Sequence, residues 1–340
     1  MKYLRELSKN DIAGKRFLVR LDLNVPVRDG VVVDDFRIKS SLPTLECIYK
    51  NGGYIVVLSH CESNVGESCT LDPAIFELNK YLPKESFTVL PNLRENSGEK
   101  DNDENYAREL SKLGDYYVND AFSVSHRAHA SIVGVPKFLP SFAGFQLEKE
   151  IKELSKAFNA PKPFVFVLGG AKFDTKLPLI QKFLDKADKV FIGGALANDL
   201  LRSTGFDVKD SVVSKTDVDL KSVAENPKVI KVEDVVWEGD KIFDIGEKTI
   251  LNLVNEIKNA KFVLWNGPLG FTEKGFNKAT YDIAHAIVNS GAESIIGGGD
   301  TIGAIAPLGI TDKFTFVSTG GGATLDFLAN ETLVGIEALK

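Results

Sequence analysis

The chain has 340 residues, 44% of them hydrophobic and 26% charged, with 47 acidic against 41 basic side chains and a formal charge of −6. This composition excludes a disordered or fibrous chain and gives no footing for nucleic-acid binding. The length exceeds what a single core comfortably holds, so two domains are expected. Cys47, Cys61 and Cys69 are too few for a disulfide framework, and with His60 they match no zinc spacing. No apolar run reaches the ~18 residues of a membrane helix. The start, MKYLRELSKND, lacks the apolar core of a signal peptide, so the cytoplasm is the expected compartment.

Short apolar runs recur along the chain. In the first half they are FLVRLDLN (17–24), YIVVLSH (54–60), FTVLPNLR (87–94) and DYYVNDAF (115–122). In the second half they are FVFVLGGAK (164–172), KVFIGGALA (189–197), VIKVEDVVW (229–237), FVLWNGP (262–268), SIIGGGDT (294–301) and FTFVSTGGG (314–322). Runs rich in Val, Ile and Phe fit strands buried on both faces. Helical patterns such as KLPLIQKFLDKA (176–187) and YDIAHAIVNS (281–290) lie between them. The alternation predicts an α/β fold with parallel sheets. FQLEKEIKELSKAF (145–158) keeps Leu147, Ile151, Leu154 and Phe158 on one face and reads as a helix connecting two lobes.

Most of the runs break off in glycine or polar clusters, which puts chemistry at the C-terminal ends of the strands, where open α/β sheets bind ligands. In RLDLNVP, Asp22 and Asn24 share one face of a strand end. Arg37 follows in DDFRIKSSLPT, Ser59 and His60 close YIVVLSH, Arg94 ends FTVLPNLR, and Arg127 sits in NDAFSVSHRAHAS. Taken singly each has an ordinary structural reading. Eight of the nine arginines fall at or before Arg127, and a planar, permanently charged fork matches carboxylate and phosphate oxygens.

In GGAKFDTK, Gly169 and Gly170 let a flat or anionic ligand lie on the backbone, and Lys172 and Lys176 supply charge. The same stretch reads equally as a capped helix with solvated lysines, Asp174 as the cap and Pro178 in the first turn. In VSTGGGATL, Gly320, Gly321 and Gly322 precede a helix, whose free N–H groups and dipole favour an anion, here phosphate, over a plain turn. GGGDT adds Gly299, Asp300 and Thr301, with Asp300 as a carboxylate for a phosphate-bound Mg²⁺. Neither a P-loop nor a G-x-G-x-x-G fingerprint is present, which disfavours a Rossmann oxidoreductase.

The ordered set RLDLNVPV, DDFRIKSSLPT, SH, VNDAF with SHRAHAS, AGFQLEKE, VLGGAKFDTK, FIGGALA, DIG, WNGPLGF, IIGGGDT and VSTGGGATL resembles the phosphoglycerate kinase family over almost the whole chain. The resemblance implies two doubly wound parallel-sheet lobes. The first would span 1–144 with the C-terminal tail 326–340 returning to it, the connecting helix 145–158, and the second lobe 159–325. The implied activity is reversible phosphoryl transfer from 1,3-bisphosphoglycerate to ADP, giving 3-phosphoglycerate and ATP, by hinge closure of the lobes. Mg²⁺ with ADP or ATP is the implied cofactor. A monomer is expected, with no nucleic-acid or membrane partner.

The resemblance assigns Asp22, Asn24, Arg37, His60, Arg94 and Arg127 to the acidic substrate. It assigns Gly169, Gly170, Lys172, Lys176, Gly193, Gly194, Asn266, Glu273, Gly299, Asp300, Thr301 and Gly320 to the nucleotide. Asp300 would also serve the metal, and Arg37, Lys172, Gly321 and Gly322 would stabilise the moving group. The chain departs from the family after Ser59-His60. Where L-G-R-P is usual it reads Cys61-Glu62-Ser63-Asn64, so Ser63 replaces a substrate-binding arginine and Glu62 adds negative charge. Ser123-Val124 stands for the usual G-T, and Ala195 for the third glycine of FIGGG. One lost charge-assisted contact costs ~1.5–3 kcal/mol, roughly one to two decades in affinity. The expectation is a divergent active enzyme, with a catalytically weakened nucleotide-binding homologue as the alternative.

Overall fold

The computed structural model describes residues 1–62, 69–171, 173–214 and 220–340, without the side chains of 173–175. The chain forms two compact units. One comprises Met1–Lys152 and Asn330–Lys340, the other Glu153–Ala329, and the boundary falls inside the helix Phe145–Ser155.

In the first unit five parallel strands run in the order Phe87–Val89, Tyr54–Leu58, Arg16–Arg20, Tyr116–Asn119, Ser141–Ala143. The chain steps outward from Arg16–Arg20 to one edge and then restarts on the other side at Tyr116–Asn119. The crevice at that reversal, above the strand C-termini, is where such sheets bind ligands. Arg16–Arg20 and Tyr54–Leu58 are buried along four of their five residues, as strands covered by helices on both faces must be. The tail residues Leu333, Ile336 and Leu339 are buried in this unit, and the Gly335 N–H donates to the Ser125 carbonyl at 2.8 Å.

In the second unit six parallel strands run in the order Val229–Ile230, Lys189–Ile192, Phe164–Leu168, Phe262–Asn266, Glu293–Gly297, Phe316–Val317. The reversal lies between Phe164–Leu168 and Phe262–Asn266, both buried throughout. Phe164 packs edge-on against Phe262 at 5.1 Å between ring centres, and Phe166 lies 4.6 Å from Phe183 of the following helix. Each such fully buried large apolar side chain contributes about 1.5–3 kcal/mol. All ten apolar runs read from the sequence supply a strand. The run 229–237 divides, however, into Val229–Ile230 and Val235–Glu238, the latter pairing antiparallel with Lys241–Ile245 as a separate hairpin. The helix after Gly170 begins at Phe173, so Pro178 lies inside it rather than in its first turn.

The start of the helix Phe145–Ser155 shows how one loop residue organises the first unit. The preceding residue is Gly144, which has no side chain to cap with. Asp120 supplies the missing acceptor: its Oδ1 receives the Gln146 and Leu147 N–H groups at 2.8 and 3.1 Å. A Cβ on Gly144 would collide with the Asp120 carboxyl, so the two residues specify each other. Asp120→Ala should lower the unfolding free energy by about 1–2 kcal/mol, measured by urea denaturation, whereas Asp120→Asn keeps an acceptor and should lose much less. Equal losses in the two variants would contradict the capping role.

Candidate active site

At the sheet edge of the first unit, the last residue of the central strand is a charged one. Arg20 is completely buried and spends every part of its guanidinium. Its Nε donates to the Ser131 hydroxyl at 2.9 Å, Nη1 donates to the Leu21 carbonyl, and Nη2 lies 3.1 Å from His60 Nδ1. The Ser131 hydroxyl in turn donates to Glu99 Oε1 at 2.6 Å, and the Ser131 N–H donates to Oε2 at 2.9 Å. Arginine can only donate, so His60 Nδ1 accepts and the ring proton resides on Nε2. Burial, then the charges of Arg20, Arg94, Arg127 and Arg37 in that order, hold His60 far below the usual imidazole range. It is a neutral donor aimed by a buried chain running Glu99, Ser131, Arg20.

The other expected acid-site residues gather around this imidazole. Asp22, nearly buried, accepts an ion pair from Arg37 Nη1 at 3.0 Å, the Asn24 N–H at 3.1 Å, and the Ser123 hydroxyl. Arg37 Nη1 also donates to the Asn24 carbonyl at 2.8 Å. Asp22 thus holds Arg37 rather than standing free, and Ser123 competes for the same carboxylate oxygen. The Arg94 side chain is only 4% exposed, and burial with Arg127 and Arg20 nearby lowers it to about 10. Arg127 is exposed, with Nε donating to His126 Nε2 at 3.3 Å. His129, 3.8 Å from Glu99, is pushed down to about 4 by burial and by Arg94, Arg127 and Arg20. Ser63 lies outside the described residues. Sequence reasoning passed over Arg20, Glu99 and His129. Arg20 was hidden inside an apolar run, and only the fold brings Glu99 and His129 to it.

In the second unit a cavity of about 310 Å³ opens beside the strand reversal. Gly170, Gly194, Glu273 and Asp300 line it, together with the apolar Val235, Phe243, Leu269 and Phe271. A slot with apolar walls and polar groups at one end suits a flat heterocycle carrying an anionic tail. Its floor consists of interlocked turns: the Gly169 N–H donates to the Asn266 carbonyl at 2.8 Å, that of Gly170 to Pro268 at 3.1 Å, and that of Gly194 to Leu269 at 3.0 Å. A Cβ on Gly169 would meet the Gly267 and Pro268 carbonyls, so the backbone that approaches Gly169 is the protein's own. Gly193 likewise packs on Leu269 beneath the surface.

Thr301 is fully buried, and its hydroxyl accepts the Gly267 N–H at 2.7 Å, which fixes the turn under the cavity. Asn266 is buried alongside Gly297 and Gly298, and its Nδ2 has no hydrogen-bond partner among the described residues. Asp300 and Gly299 are exposed at the start of the helix Gly299–Ile305. Gly321 has φ +52°, with open space above it where a Cβ would stand, directly before the helix Gly322–Asn330. Gly320 donates its N–H to the Ser318 hydroxyl at 3.1 Å. Lys172 lies outside the described residues.

Lys176 reaches back to donate to the Gly169 carbonyl at 2.8 Å, and burial pushes its ammonium down to about 8 against the opposing pull of Asp300. A lowered lysine is charged below that value and neutral above it. The affinity of this region for an anion such as inorganic pyrophosphate should therefore fall as the pH passes upward through about 8, and Lys176→Gln should abolish that fall. A pH profile identical in the two proteins would contradict the assignment.

The phosphoglycerate kinase family model matches residues 7–87, 77–226 and 216–331. The phosphoglycerate kinase of Finegoldia magna is 38% identical, with 99% of this chain and 98% of the relative aligned. That of Thermosipho africanus is 40% identical over 97% of this chain and 96% of its own length. Among solved structures, phosphoglycerate kinase from Coxiella burnetii superposes with a TM-score of 0.85 at 31% identity, covering 99% of this chain and 98% of that one. The enzyme from Pyrococcus horikoshii gives a TM-score of 0.85 at 29% identity, covering 100% and 98%.

Proposed function

This chain belongs to the phosphoglycerate kinase family, and we propose that it transfers the acyl phosphoryl group of 1,3-bisphosphoglycerate reversibly to ADP, yielding 3-phosphoglycerate and ATP. The observation that carries the reading is the first unit's excess of positive charge around a neutral His60. Arg20, Arg37, Arg94 and Arg127 all act on that ring, which suits an acid bearing a phosphate and a carboxylate. The apolar cavity of the second unit, lined by Gly170 and Asp300, with Lys176 bonded to the adjacent Gly169 carbonyl, supports nucleotide binding there.

Phosphoryl transfer needs alignment and charge neutralisation more than covalent help. The attacking atom is already an anionic oxygen, so no general base is required. Arg37, preset by Asp22, and Lys172 would neutralise the transferring oxygens, with the Gly321 and Gly322 N–H groups assisting. His60 would donate from Nε2 to an acid oxygen without adding a charge. The nucleotide would lie between Phe243, Leu269 and Gly194, with Glu273 at its sugar.

Mg²⁺ fits the residues present in one manner only. Among the described residues no group of three His, Cys, Asp or Glu side chains could hold a metal by itself. The exposed carboxylate of Asp300 suits an ion bound mainly through phosphate oxygens and water. When bound, the ion would neutralise phosphate charge, and Asp300 would hold it directly or through water, since a carboxylate has no proton to offer a phosphate oxygen.

A coupled assay with ATP and 3-phosphoglycerate should show turnover, and Lys172→Ala should lower kcat by about 10²-fold or more while nucleotide affinity changes far less. Nucleotide binding without turnover at saturating substrate would refute the proposal. Equal losses in kcat and affinity would reduce Lys172 to a binding residue.

A further inference from the structure

The buried guanidinium of Arg94 points to an anion, and the chain itself provides one. Arg94 Nη1 forms an ion pair with Glu62 Oε1. Apart from that pair, Nε, Nη1 and Nη2 have no hydrogen-bond partner among the described residues. A permanently charged group in this position is costly to leave without a counter-ion. Glu62 is held in place from its other end, because its N–H donates to Asn24 Oδ1 at 3.1 Å. Its side chain is nonetheless 45% exposed, and Lys100 Nζ lies 3.8 Å from the same oxygen. The carboxylate can therefore leave Arg94 for water and Lys100 without being stranded in an apolar setting.

We propose that Glu62 is a tethered counter-ion for Arg94, which the anionic end of the acid substrate must displace, so that Glu62 sets the affinity of this site. The inference rests on the reading of Arg94 as a substrate-binding group. A carboxylate offers the guanidinium the same acceptor oxygens that the substrate offers, so the two cannot share it fully. Because Glu62 is covalently attached, its local concentration is high and the competition is always present. The displaced side chain is half in solvent and close to Lys100, which keeps the cost of displacement modest. The consequence is weaker acid binding with the phosphoryl-transfer groups untouched, a different matter from the loss of an arginine at Ser63.

Glu62→Gln keeps the size and the backbone N–H and removes the charge. It should lower both the KM for 3-phosphoglycerate and its calorimetric Kd by about three- to tenfold, with kcat moving much less and the KM for ATP holding. An unchanged or raised KM overturns the inference, since a merely supportive Glu62 would weaken acid binding when lost. Arg94→Gln provides the second arm, with circular dichroism to confirm folding. It should raise the KM for 3-phosphoglycerate and erase the effect of Glu62→Gln in the double variant. If Arg94→Gln leaves that KM unchanged, the reading of Arg94 as a substrate group falls and the tether with it. If Arg94→Gln raises it while Glu62→Gln does nothing, only the tether falls. Should Arg94→Gln fail to fold, the direction of the Glu62→Gln shift still decides the matter.

Discussion

The structure of the first unit turns on how buried positive charge is tolerated. Arg20 lies at the end of the central strand with no exposure, where an unpaired cation would be strongly destabilising. Glu99, equally buried, answers it through the Ser131 hydroxyl, and the remaining guanidinium bonds go to the Leu21 carbonyl and His60. Tyr117 closes the arrangement by donating to the Ser131 carbonyl at 2.6 Å. Burial first, and then the charges of Arg20, Arg94, Arg127 and Arg37, hold the imidazole neutral. Glu99 through Ser131, Asp22 on Arg37 and Glu62 on Arg94 set three carboxylates against these four arginines.

The second unit solves a different problem, that of bringing three loops together closely enough to form a flat floor. The turns after Phe164–Leu168, Lys189–Ile192 and Phe262–Asn266 exchange backbone hydrogen bonds. Trp265 secures the third from below, its Nε1–H donating to the Gly267 carbonyl at 2.9 Å. Residues that a ligand-centred reading assigns to nucleotide, Gly169, Gly193 and Thr301, hold this floor. Asp300, by contrast, is exposed and lines the cavity, while the Lys176 ammonium is tied down to the Gly169 carbonyl. The hairpin Val235–Glu238 with Lys241–Ile245 supplies a wall, and Asp244, pushed up to about 6 by burial, accepts the Ala279 and Ile245 N–H groups behind it.

Much of this was legible in the residues. Parallel strands buried on both faces appear as unbroken apolar runs, and each of the ten runs contains one. The polar residues that end those runs mark the sheet edges, so Asp22, His60 and Asp300 could be placed before any coordinates. Three things were not legible. The strand Ser141–Ala143 is three residues long and follows a proline, giving too little periodicity to register. The hairpin was absorbed into VIKVEDVVW because only the four residues Lys231, Val232, Glu233 and Asp234 separate its first strand from the strand before it. The third was division of labour within a motif. Glycines required by packing and glycines required by a ligand look alike in sequence, and the partnership of Arg20 with Glu99 spans a separation that only the fold closes.

The central claim is that four arginines and burial together keep His60 uncharged, with its proton on Nε2. Site-resolved NMR of the His60 ring measures this directly. The account predicts ring shifts that stay those of the Nε2–H neutral tautomer between about pH 5 and 8. A titration midpoint within that range, or a ring protonated at Nδ1, would contradict it.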